Sequence, residues 1–374
     1  MPLEASCLDN DTIIDLVKTN YGYNITDIRP LPLGSANCYM VSGGNFRGFL
    51  KEFQSGFDIT DINREDELIE YLSLRGIPTV RIYRTKSGDA GILCQNHAIS
   101  LSEYIDGETY DYNSRKFPRE YTTSAIAATT AAMLGKIHAA LTGYNLPVEM
   151  GSDWLAEYSP ESCAAQYDTL LCRLDRNTRT EYYDRIRADL CYKKSLALRF
   201  AEWLSMTYMS KDPLASLFSG LTYTPTHGDY HSGQLIYDGV NIKAVIDFSS
   251  AATLPAVWEI MRSYVQSFRE YEFENIDTNS ETAINDTDCI DIDSLCRYFS
   301  EYMKYSPLSQ HDLEAAPYVY LFQLLRSKYG YKQYLDGTSS DNLELLQFAL
   351  RRTNICRELE RSADKISTAL KKLL

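Results

Sequence analysis

The feature that most limits how this chain can fold is a short β island inside a helical half. QLIY (234–237) and NIKAVI (241–246) are joined through Asp238–Gly239, and helical spacing resumes on either side. Asp-Gly between such runs specifies a tight hairpin. A hairpin brings its outer ends together, so Gln234 and Asp247 are expected side by side, with Asp229 on the tight loop just before the first strand. One amide carbonyl and two carboxylates would then converge on one point. Hard oxygen donors of this kind, with positions left for water and phosphate, suit Mg²⁺.

The rest of the chain changes texture once. Residues 10–20 read as a short helix opened by Asn or Asp. CYMV (38–41) and FRGFLKEF (46–53) flank Ser42–Gly43–Gly44–Asn45, a second hairpin signal. REDELIEYLSL (64–74) is an amphipathic helix ending at Gly76, with Pro78 beyond. TVRIYRT (79–85) and AGILCQ (90–95) read as two more strands. After Ile105–Asp106–Gly107 the pattern turns helical over 123–141 and 161–220, and again from Pro255 to the end. At 374 residues the chain exceeds a single compact core. The expectation is an α+β protein with a small β-rich lobe over 1–105 and a large, mainly helical lobe over 106–374. The cleft between lobes is the default site.

Charge narrows the partners. The chain carries 37 Lys+Arg against 51 Asp+Glu, a net of −14. That balance argues against nucleic acid or an anionic membrane and tilts toward a cationic small molecule. No stretch reaches the roughly 20 apolar residues of a spanning helix, and MPLEASCLDND lacks the basic start and apolar core of a signal peptide. Nine cysteines form no C-x-x-C pair, so reduced thiols in a cytoplasmic protein are expected. No zinc or iron–sulfur spacing stands out, because such sites are usually recognised from closely spaced ligands.

Phosphoryl transfer needs one residue to orient the attacking hydroxyl and others to hold metal on the phosphates. In kinases the loop reads H-x-D-x-x-x-x-N, followed by an Asp after a hairpin. Here it is His227-Gly228-Asp229, four residues, Gln234, then Asp247. At these positions the chain resembles the aminoglycoside phosphotransferase and choline kinase superfamily, whose loop typically reads H-G-D-x-x-x-x-N with a later I-D. The resemblance implies a two-lobed protein-kinase-like fold and transfer of the γ-phosphate of ATP or GTP to a hydroxyl of a small molecule. It implies Asp229 as catalytic base or hydroxyl-orienting residue, Gln234 and Asp247 as Mg²⁺ ligands, and His227 as the residue bracing the loop.

The upstream half agrees with the same resemblance. LPLGSANCYMV (31–41) looks like the family's reduced glycine loop, so Gly34, Ser35 and Asn37 would close over the phosphates. Lys51 in GFLKEF would contact the α/β-phosphates, and Glu65 in REDELIEYL would hold its ammonium. Glu67, two positions on and about 200° around the helix, is a weaker candidate. SLSEYIDGE (100–108) looks like the hinge, where backbone groups near Glu103 and Ile105 would bond adenine. LGKIHAAL, with His138, resembles the first large-lobe helix, and His138 itself reads as a packed core residue. These matches run in order from about residue 30 to 265.

Two departures stand out. Gln234 replaces the family's usual Asn, offering the same carbonyl on a side chain one methylene longer. Glu259 stands where relatives tend to carry Asp and reads as a structural buttress of the catalytic loop. Two other readings stay open at this point. One is a catalytically degenerate nucleotide-binding regulatory protein on the same fold; the other is a metal-dependent hydrolase built on His227, Asp229 and His231. Residues 270–293 hold nine acidic residues and no Lys or Arg, either a solvated loop or a field for a polycation. The acceptor, the choice of ATP or GTP, and the oligomeric state are not encoded in any motif.

Overall fold

The structure, a computed structural model, describes residues 4–31, 36–110, 123–176, 182–268, 290–336 and 342–374. In chain order the elements begin with α1 (Asn10–Leu16), β1 (Asp27–Leu31), β2 (Asn37–Gly43), β3 (Phe46–Glu52), α2 (Ile59–Ser73), β4 (Gly91–Cys94) and β5 (His97–Glu103). Then follow α3 (Thr123–Ala140), α4 (Ser152–Glu157), α5 (Pro160–Arg176), α6 (Tyr183–Tyr208), α7 (Pro213–Ser219), β6 (Tyr223–Thr226), β7 (Leu235–Asp238), β8 (Asn241–Val245) and β9 (Ala252–Pro255). The chain closes with α8 (Ala256–Phe268), α9 (Ile292–Met303), α10 (Gln310–Arg326), α11 (Tyr331–Asp336) and α12 (Asn342–Lys371). Two compact units result: Met1–Tyr121 with His227–Ala251, and Thr122–Thr226 with Ala252–Leu374.

The first unit is built on a five-stranded antiparallel sheet in the order β1-β2-β3-β5-β4. Strand alternation sorts its side chains onto two faces. Val41, Leu50, Ile99 and Leu101 face the N-terminal segment and α1, packing with Leu8, Ile13 and Val17. Ala98 and Phe53 belong to a cluster with Ile62 of α2. Each fully buried Leu or Ile in these layers contributes about 1.5–3 kcal/mol. The second unit is mainly helical, with one small ladder, β6 on β9, pairing Thr226 with Ala252.

Three local expectations need correction. Helix α2 starts five residues before Arg64, because Asp58 accepts from Thr60 and Asp61 reaches back in a capping box. Residues 79–85 form no strand and make only isolated bridges, at Thr79 and Ile82. The register explains this: β5 gives the first half of that edge to β4, which leaves residues 81–83 only the end of it, through Tyr83 N–H to Leu101 O and Glu103 N–H to Arg81 O. The third concerns the β7–β8 hairpin, which turns at Gly239–Val240. A bulge at Ile236/Tyr237 shifts the register so that Asp238 pairs with Asn241. Among the described residues no helix is long and apolar enough to cross a membrane. Gly34, Ser35 and most of 270–293 lie outside the described residues.

Candidate active site

Alternation along the central strand β3 points Lys51 away from the Leu50 face. Its Nζ donates to Asp247 Oδ1 at 3.0 Å. Helix α2 turns Glu65 into the interior, 9% exposed, whereas Glu67 is exposed. The structure therefore separates the two acidic candidates: only Glu65 is placed where its charge bears on Lys51.

The loop carrying Asp229 is braced by His227, which is fully buried. His227 Nε2 lies 2.9 Å from the Ile246 carbonyl, so that nitrogen carries the proton. The lone pair is then on Nδ1, which accepts the Asp229 backbone N–H at 3.3 Å. One imidazole thus ties the loop before Asp229 to the residue before Asp247. Gly228 is required beside it: φ is +83°, and a Cβ would fall 1.8 Å from the Ser250 carbonyl oxygen. Because both ring nitrogens of His227 are committed to backbone groups, the His227/Asp229/His231 hydrolase cluster lacks one of its ligands. His231 Nδ1 accepts the Gly233 N–H at 3.1 Å, as a cap of the Ser232–Gln234 turn.

The hairpin brings its open ends together as the Asp-Gly pair implied. Ile246 N–H donates to the Gln234 carbonyl at 3.0 Å, and Val245 N–H to Pro78 O at 2.8 Å. The Gln234 side-chain Nε2 faces Asp229 Oδ2 at 3.5 Å, which leaves its Oε1 as the amide's ligand atom. Asp247 sits in the left-handed region at φ +62°, a conformation that costs a non-Gly residue energy and gathers at functional sites. Its Oδ1 also accepts from Ser249 Oγ at 2.8 Å.

Electrostatics follow from these contacts. Burial opposes the charge of Asp247, but Lys51 and Ser249 outweigh it and hold the carboxyl below its ordinary value. Burial likewise opposes the Lys51 ammonium, and Asp247 and Glu65 outweigh that. Burial dominates at Glu65 and raises its pKa to about 7 against the Lys51 charge. The native state then keeps a proton that the unfolded chain releases between pH 4.5 and 7, so stability falls as pH rises through that window. The loss should be about 3 kcal/mol at full effect. Urea unfolding of the nucleotide-free protein across this window is expected to show that slope, and Glu65→Gln to flatten it. Parallel pH profiles for the two proteins would refute it.

The remaining candidates are dispersed. Asn37 opens β2, and its Nδ2 donates to Glu4 O at 3.2 Å. Glu103 ends β5, its N–H donating to Arg81 O and its Oε1 accepting the Arg81 N–H; its carbonyl and the Ile105 N–H are the backbone groups a base could use. Sequence reasoning missed Ser249, Gly228 and the Ile246 carbonyl. Of these, only Gly228 carried a signal, as the glycine between His and Asp.

The profile of the phosphotransferase enzyme family (APH) matches residues 27–281, and the chain belongs to that family. Three solved structures show the kinase-like fold at low identity. Spectinomycin phosphotransferase APH(9)-Ia, in complex with ADP and spectinomycin, is 15% identical with TM-score 0.59, covering 99% of this chain and 100% of that one. A microcompartment-associated aminopropanol kinase is 16% identical with TM-score 0.56, covering 96% and 99%. Choline kinase from Cryptosporidium parvum Iowa II is 15% identical with TM-score 0.56, covering 97% and 99%. No curated protein matches the sequence.

Proposed function

We propose that this chain is a small-molecule kinase that moves the γ-phosphate of ATP or GTP to a hydroxyl of a small acceptor. The observation that carries this reading is the 3.0 Å pair between Lys51 of β3 and Asp247 just after β8, with His227 tying the Asp229 segment to the neighbouring Ile246 carbonyl. Lys51 would donate to the α/β-phosphates. Asp229 would accept the acceptor's hydroxyl proton at its carboxylate as that oxygen bonds the γ-phosphorus and the bond to the β–γ bridging oxygen breaks, releasing ADP or GDP. Positioning and charge neutralisation supply most of the rate, since the protein has little covalent work to do.

Asp247 and Gln234 are the residues that would hold Mg²⁺, and the donor set fits: an ionised carboxylate and an amide oxygen, both hard ligands. Bound there, the ion would neutralise charge on the phosphates. Glu103 and Ile105 backbone groups would receive the base, and the segment with Gly34, Ser35 and Asn37 would cover the phosphates. The β-rich residues 1–105 would serve the nucleotide and 106–374 the chemistry and acceptor. A cytoplasmic setting, where thiols stay reduced, belongs to the same proposal.

Choline and aminopropanol, for which two structural neighbours are named, each carry a hydroxyl and a cationic nitrogen. The net charge of −14 supports an acceptor of that class. Thermal unfolding with ATP·Mg²⁺, GTP·Mg²⁺, nucleotide without metal, and buffer tests the nucleotide half. At a hundredfold excess over Kd, stabilisation of about 2.7 kcal/mol is expected, dependent on metal. An unchanged midpoint with both nucleotides would sink the kinase reading.

A further inference from the structure

We propose that Cys7, Glu52 and His97, with Cys94 beside them, form a Zn²⁺ site on the sheet face opposite Lys51. One ligand atom from each of Cys7, Glu52 and His97 lies within 4.8 Å of the other two. Register puts Cys94 on the same face, outside that 4.8 Å group. Glu52 pairs with Ile99 across β3 and β5, and Cys94 pairs directly with His97 across β4 and β5. Directly paired residues, and residues two apart, share a face, so Glu52, His97 and Cys94 project to the same side. The turn between Cys94 and His97 is Gln95–Asn96, both at positive φ (48° and 68°), which closes a tight C-x-x-H hairpin. The N-terminal segment lies across that side, with the Cys7 Sγ 3.9 Å from the Cys94 carbonyl.

The chemistry selects the ion. Thiolate, imidazole and carboxylate together are a zinc donor set. Glu52 is fully buried, yet its known partners, Ser6 Oγ at 2.6 Å and Cys7 N–H at 2.9 Å, are neutral donors, with His97 Nδ1 at 3.8 Å. His97 Nδ1 lies 2.9 Å from the Phe53 carbonyl. Donating there, it would leave the lone pair on Nε2, the carbonyl-oriented arrangement common to metal-bound histidines. Zn²⁺ binding at Cys7 would release the thiol proton to solvent. Sequence spacing hid the site because its residues come from 7, 52 and 94–97 and meet only in the sheet.

The site does not depend on the phosphotransferase reading, and its test is separate. The full-length protein, reduced and stripped with EDTA, is titrated with ZnCl₂ against a chromophoric chelator and, in parallel, with Co²⁺. The expected result is one tightly held Zn²⁺ per chain and a near-ultraviolet thiolate-to-Co²⁺ charge-transfer band. Cys7→Ser and His97→Ala should each weaken Zn²⁺ at least about tenfold, while Asp247→Asn leaves it unchanged. Far-ultraviolet circular dichroism of the metal-free variants checks folding. Should Cys7→Ser misfold, His97→Ala and the wild-type Co²⁺ spectrum decide. Absence of the charge-transfer band, equal affinity in the variants, or a Cys7–Cys94 disulfide in place of metal would overturn the proposal.

Discussion

Replacing Asp229 by Asn is expected to lower kcat about 10²–10⁴-fold while leaving the nucleotide-dependent rise in unfolding midpoint intact. The reasoning rests on how the loop is held. The Asp229 backbone N–H is held by His227 Nδ1, a contact the substitution leaves in place. Asn keeps the shape and still presents an oxygen toward Gln234 Nε2, 3.5 Å from Oδ2 in the native protein. What it loses is the carboxylate that takes the hydroxyl proton. Lys51, Asp247 and Glu65 are untouched, so nucleotide binding should survive. Steady-state ADP release with an acceptor, set beside the thermal shift, separates the two. Native turnover in the Asn variant would end Asp229's assignment as the base.

How much of this was legible in the sequence depends on the range of the interaction. The hairpin around Gly239 is a local signal, written in adjacent residues; it implied Gln234 beside Asp247, and the structure pairs Gln234 with Ile246, one residue earlier. The Lys51–Asp247 pair is far from local, separated by 196 positions. The family resemblance named both residues, but it gave Lys51 to Glu65 and Asp247 to the metal, so this direct pair was not anticipated. The choice between Glu65 and Glu67 needed the burial of α2, since a run of four charged residues has no internal pointer to its buried face. His227 was expected to brace the loop, but its reach to the Ile246 carbonyl requires knowing where β8 ends. The failure at 79–85 is of the same kind. Its composition suits a strand, and competition for one edge of β5 decides otherwise.

Glu259→Ala is expected to destabilise the second unit by about 3–5 kcal/mol, the cost of stripping one member from a buried hydrogen-bonded charged network. Glu259 Oε2 lies 2.8 Å from His138 Nε2, and His138 Nδ1 lies 2.8 Å from the Tyr302 hydroxyl; both side chains of the first pair are fully buried. His138 is on α3, Glu259 on α8 and Tyr302 on α9, so one imidazole joins three helices. The helices are also close there. Gly135, one turn before His138, would put a Cβ 2.5 Å from the Tyr302 carbonyl oxygen, so α3 and α9 have no slack to absorb a lost partner. Truncation would strand a buried ring nitrogen and leave a cavity in place of the four side-chain heavy atoms beyond Cβ. Shortening Glu259 to Asp makes a sharper comparison. It keeps the charge but withdraws the oxygen by one methylene, lengthening the 2.8 Å contact with His138. Glu259→Asp should therefore cost less than Glu259→Ala but still measurably more than zero, about 1–2 kcal/mol. Urea midpoints for the two variants give that order directly. If Glu259→Asp were as stable as the parent, the length of this side chain would not be matched to His138.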